Sequence, residues 1–107
     1  MPVPPPEVRR AAREALERRR ERAKQTQRPG GTEVGVARAR DIANGRNLSI
    51  ETLRRMRSFF ERHDTEAERE ARRRDRDSPA AIAWGLWGGT AGRRWANREL
   101  REAGVYR

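Results

Sequence analysis

Apolar residues in this chain recur at three- and four-residue steps, the spacing of amphipathic helices and not of strands. The clearest stripe is Ile50, Leu53, Met56, Phe60 and His63. Ser49 stands before it as a cap, and Glu51 and Thr52 fall in the first turn. Upstream, Val36, Ala39, Ile42 and Ala43 share one face of a helix predicted from Glu33 to Asn44. Thr32 is its cap, and Gly45 sits where a left-handed end is wanted. The breaker Arg28-Pro29-Gly30-Gly31 separates it from an N-terminal helix running from Glu7 to about Gln25. The stripe on that first helix is weaker, with Val8, Ala12, Ala15 and Leu16. It is expected to dock by its first half and to run out as the basic tract Arg18 to Lys24.

Ser78-Pro79 is a helix-start signature, followed by Ala80, Ala81, Ile82, Ala83, Trp84, Leu86 and Trp87. Gly88-Gly89 breaks that helix. Thr90 is the expected cap of a last helix reaching about Ala103, with Gly104 at its end. Residues 64–77 hold no large apolar side chain and nearly balanced charge, six acids against five bases, so they read as a helix-three extension or a solvated linker. Residues 1–6 are Pro-rich and read as a mobile, extended arm, leaving 7–104 as one helical domain. The predicted fold is an all-α orthogonal bundle of four or five short helices. Its predicted core is Leu16, Val36, Ile42, Ile50, Leu53, Met56, Phe60, Ile82, Leu86, Trp87 and Trp95.

Composition narrows the function classes. Hydrophobic residues make up 34% of the chain, below the roughly 45–50% of an average globular domain, so the core must be small. Net charge is +10, and of the 26 basic residues all but Lys24 are arginine. Arginine over lysine has two readings, codon bias in a GC-rich genome or use of the guanidinium fork on phosphate and carboxylate; neither codon bias nor fork geometry accounts for the net charge, which points to polyanionic partners. Absence of cysteine excludes disulfides and Cys-based metal sites. No apolar run has the length of a membrane span, and Met1-Pro-Val-Pro-Pro-Pro6 lacks the pattern of a signal peptide.

The candidate chemistry is binding. Helices two and three resemble a helix-turn-helix in order, with Arg54, Arg55, Arg57 and Arg62 on the outer face of the second, Arg38 on the first and Arg46 in the turn. Three residues separate Gly45 from Ser49, more than the compact DNA-reading turn has, so an ordinary helical hairpin with a wet basic face is the competing reading. Arg93, Arg94, Arg98 and Arg101 form a cluster on the last helix. The tract Arg18 to Lys24 is either a phosphate-binding helix or a solvated tail. Trp84-Gly-Leu-Trp87 is either an aromatic platform for a partner or core. His63 is the one histidine; no nucleophile or metal-ligand spacing accompanies it, so no enzyme, cofactor or metal is expected, and a place at a helix C-terminus suits it.

Several runs taken together resemble a small module encoded in tailed phages and prophages. They are Gly30 through Gly45 (GGTEVGVARARDIANG), Leu48-Ser49, Thr52 through Met56, Phe59 through His63, Ser78-Pro79 and Ile82 through Ala96. The likeness covers most of residues 7–97. Members lie near, or fused to, head-morphogenesis proteins such as portal-proximal proteases. The resemblance carries over no activity and no catalytic residue. One departure is the charged run 64–77, where members have a Gly-rich acidic loop with an added aromatic. The resemblance implies a phage-encoded accessory protein, located in the virion or the host cytoplasm. Arg38, Arg46, Arg54, Arg55, Arg57, Arg62, Arg93, Arg94 and Arg98 are the residues expected to meet nucleic acid, DNA first. The alternatives are an assembly component meeting acidic surfaces of capsid, portal or scaffold, and a small inhibitor of a host factor.

Overall fold

The computed structural model describes residues 2–105; Met1, the first residue of the expected arm, lies outside them. Among the described residues there are six α-helices and no strand: α1 Pro6–Ala23, α2 Glu33–Ala43, α3 Ile50–Arg62, α4 Glu66–Arg74, α5 Pro79–Leu86 and α6 Gly89–Glu102. The all-α class follows from the periodicity. The sixth helix comes from the charged run, which neither extends α3 nor stays a linker. Thr65 restarts the helix by accepting from the Glu68 N–H at 3.1 Å, while Arg72 and Arg73 pair with acids from below and beside it.

Local chemistry sets the boundaries of the other helices. Thr32, Ser49 and Ser78 each accept from the backbone N–H three residues on, at 3.0, 3.1 and 3.1 Å. α6 departs from expectation because Thr90 is not its cap. Gly88 and Gly89, with φ of 105° and 68°, make the turn by backbone alone. The Thr90 hydroxyl accepts instead from the Trp84 indole at 3.2 Å.

α1 lies across α2, α5 and α6. Its buried residues, Val8, Ala12 and Ala15, are small, and glycines on the facing helices let backbones approach closely. The second half of α1 is docked too, contrary to the expected run-out. Arg19 donates to the Gly30 carbonyl at 2.8 Å, Arg18 pairs with Asp77 at 3.5 Å, and Arg22 reaches the Asp77 carbonyl at 3.3 Å. The N-terminal arm is anchored and not mobile: Pro4 is fully buried, and the Pro2 carbonyl accepts from the Leu48 N–H at 2.8 Å.

Nine of the eleven predicted core residues are buried; Leu16 and Ile50 sit half-buried at its edge. Leu48, Phe59, Trp84, Ala96 and Leu100 join the core from outside that predicted set, and Val8 joins it from the weak stripe of the first helix. Both halves of the aromatic-platform segment are therefore packing material. Phe59 stacks on Trp87 with centroids 4.9 Å apart and rings 14° from parallel, and Phe60 meets Trp84 edge-on at 4.8 Å.

The helix-turn-helix arrangement does not form. α2 turns its buried face to α1 and α5, while α3 packs along α6. The connection at residues 44–49 carries the chain from one set of packing partners to the other, and it is pegged at Leu48 by the N-terminal arm. The helical-hairpin alternative fails for the same reason.

Candidate functional site

The nine arginines expected to meet nucleic acid divide into two groups. Arg38 and Arg46 both turn to Asp41, at 3.1 and 3.8 Å. Arg55 pairs with Glu51 at 3.2 Å, Arg57 with Glu61 at 3.4 Å, and Arg93 with Asp64 at 3.1 Å. Those five face neighbouring acids, with Arg38 and Arg46 sharing one carboxylate, and Arg46 and Arg55 remain exposed. Arg54 and Arg62 on α3, and Arg94 and Arg98 on α6, are exposed and have no acid within ion-pair distance. Each of these two pairs lies along one side of its helix, eight and four residues apart.

Arg93 belongs to a polar knot that joins three elements. Asp64, just past the end of α3, accepts from Arg69 of α4 at 2.9 Å and from Arg93 of α6 at 3.1 Å; Arg72 stands 3.7 Å away. Hydrogen bonds from Arg69 and Arg93 hold the Asp64 carboxyl below its usual range, against the opposing effect of partial burial. Arg72 donates to the His63 carbonyl at 3.0 Å and lays its guanidinium over the Trp84 ring at 3.7 Å. Burial lowers its pKa, and Asp64 and Glu68 oppose that. His63 is the C-cap of α3, as its position suggested. Its Nδ1 donates to Glu68 at 2.7 Å, which draws the Glu68 carboxyl downward. Every polar group here has a structural task, and among the described residues no cluster of His, Cys, Asp and Glu suited to a metal occurs.

Between the start of α2 and the length of α3 lies an open groove of about 850 Å³. Its floor is Ala83, Phe59 and Trp87; one wall is Gly31, Thr32 and Val34; the other is Arg54, Arg55, Ser58 and Arg62, with Glu51 at one end. Val34 is 58% exposed, the most exposed large apolar side chain among the described residues. The structure thus brings Arg54, Arg55 and Arg62 to one rim. It sends Arg57 to the other side of α3, and Arg93, Arg94 and Arg98 stand on α6, outside the groove. No protein family, curated protein or solved structure matches this chain, so its site is read from its own geometry.

Sequence reasoning missed Val34 and Phe59 as groove residues. Val34 lies off the buried stripe of α2, and an exposed valine next to a cap carries little signal alone. Phe59 lies off the three- and four-residue stripe that carries Phe60. The groove exists because α2 and α3 pack on different partners, which no local pattern encodes.

Proposed function

We propose that this chain is a non-enzymatic, phage-encoded accessory protein that binds nucleic acid, chiefly duplex DNA, through arginine–phosphate contacts. The observation that supports this reading is the set Arg54, Arg62, Arg94 and Arg98, exposed and unneutralised on two helices that pack side by side. Guanidinium is suited to phosphate because its planar fork donates two parallel hydrogen bonds. Contacts of this kind read the backbone and not the bases, so affinity should be salt-sensitive and nearly indifferent to sequence.

The test is duplex DNA binding by mobility shift at low, intermediate and high salt. The slope of log affinity against log salt should be near −0.9 for each phosphate engaged. Arg94→Glu with Arg98→Glu should flatten that slope by about two contacts. The control Arg20→Glu with Lys24→Glu changes net charge equally but reverses residues that already pair with Glu17 and Glu21, and should change it less. Equal effects of the two pairs, or binding indifferent to salt, defeat the reading. So does a fixed copy number in purified particles without affinity for free duplex, which points to an assembly component.

A further inference from the structure

The groove between α2 and α3 shares Arg54 and Arg62 with the phosphate-facing set, but the rest of its lining differs in chemistry from the outer arginines. Its floor is aromatic and aliphatic, its near lip is the exposed Val34, and its far rim carries guanidinium groups. Arg55 is balanced by Glu51 at 3.2 Å. Arg54 and Arg62 are not balanced, so the rim has an excess of two positive charges, about 12 Å apart along the helix axis at 1.5 Å per residue.

We infer that this groove is a docking cleft for an amphipathic helix of a protein partner, one whose apolar stripe is flanked by aspartate or glutamate. Three observations select that occupant. An aliphatic lip opposite a guanidinium rim, with aromatic edges between, asks for apolar side chains bordered on one side by acid. The volume suits two or three such side chains, within the range of pockets that hold compact ligands. A nucleic-acid strand fits less well. Stacking of a base requires an open ring face, whereas Phe59 and Trp87 are stacked on each other and only 6% and 7% exposed.

The groove also sits where a partner can act on it without disturbing the fold. Val34, Arg54, Ser58 and Arg62 are all exposed, so substitutions there leave the core intact. Ser58 is the most useful of them, because a tryptophan in its place would fill the cleft from the α3 side. The two readings share Arg54 and Arg62 and are told apart elsewhere: Arg94 and Arg98, outside the groove, test phosphate binding, and Ser58 and Val34 test the cleft.

The experiment is selection from a displayed library of random peptides about sixteen residues long, long enough for four helical turns. Wild-type protein is the bait, and a Ser58→Trp variant, shown by circular dichroism to be folded, is the counter-bait. Enriched sequences should place apolar residues at i, i+3, i+4 and i+7 with acids on one flank. The best of them, made as a free peptide, should lose about tenfold or more in affinity against Ser58→Trp, Val34→Gln, or Arg54→Glu with Arg62→Glu. Replacing its acids by lysine should abolish binding to wild type and restore it to the Arg54→Glu/Arg62→Glu protein. Enrichment that ignores Ser58→Trp, enriched peptides without acid, or no enrichment overturns the inference. A single-stranded oligonucleotide whose binding is lost in Val34→Gln also overturns it, by making the cleft a nucleic-acid site. A self-association lost in Ser58→Trp overturns it in favour of a second copy.

Discussion

Gly85 shows how a single position governs the approach of two helices. It lies inside α5, where alanine would ordinarily gain about 1 kcal/mol in helix propensity. A Cβ there would stand 2.8 Å from the Ala15 Cβ of α1, closer than carbon atoms pack, so α5 would have to lift away. Gly85→Ala is expected to destabilise the protein by about 1–3 kcal/mol. Adding Ala15→Gly should recover much of that loss, and a double-mutant cycle by urea denaturation measures the coupling. Additive losses would show that the two sites do not contact. At this scale the sequence is informative about residue type and silent about pairing. Val8, Ala12 and Ala15 read as a weak stripe because they are small, yet smallness is what admits the glycines of α5 and the α5–α6 turn. Trp87 was legible as core and Trp84 only as core or platform; Arg72 over Trp84 was not legible, because nothing in a charged run says which arginine will lie flat on a ring.

α4 is the element whose existence rests on the least apolar contact. It buries no residue fully, and it is held by its Thr65 cap, by Arg72 on Trp84 and by Asp64 between Arg69 and Arg93. A guanidinium over a partly desolvated tryptophan contributes about 1–2 kcal/mol. Arg72→Ala is therefore expected to release α4 while the rest stays folded. Amide exchange in residues 66–74 should accelerate by about tenfold or more, with α1, α3 and α6 unaffected. Uniform acceleration would mean that α4 is part of the cooperative core. Helix starts carried by a Ser or Thr cap were readable in sequence at α2, α3 and α5, since a cap and its target are three residues apart. The start of α6 was not, because two glycines made the turn and Thr90 was recruited by Trp84, six residues back. The helix-turn-helix likeness failed at this scale too: order along the chain was right, and the packing partners of α2 and α3 were set by elements elsewhere.

For the molecule as a whole, the acid response follows from Asp64 and Glu68. Both carboxyls are held below their usual range when folded. The unfolded chain therefore binds protons more readily than the folded one, and folding stability rises with pH through that window. The contribution is present above the ordinary carboxylate range of about pH 4 and is lost as pH falls toward the folded values. Urea denaturation at a series of pH values should show stability dropping below about pH 4, with a shallower drop in Asp64→Asn and Glu68→Gln. An unchanged slope in both would place the acid sensitivity elsewhere. The loop before α3 is held by a tie remote in sequence. Because Pro2 supplies the carbonyl that satisfies Leu48, and Pro4 is sealed inside, the loop leading into α3 is fastened by residues that begin the chain. Clipping those few prolines would leave an amide donor stranded and the cleft's arginine-bearing wall less firmly set, so a protease acting far from the groove in sequence would also act on its grip.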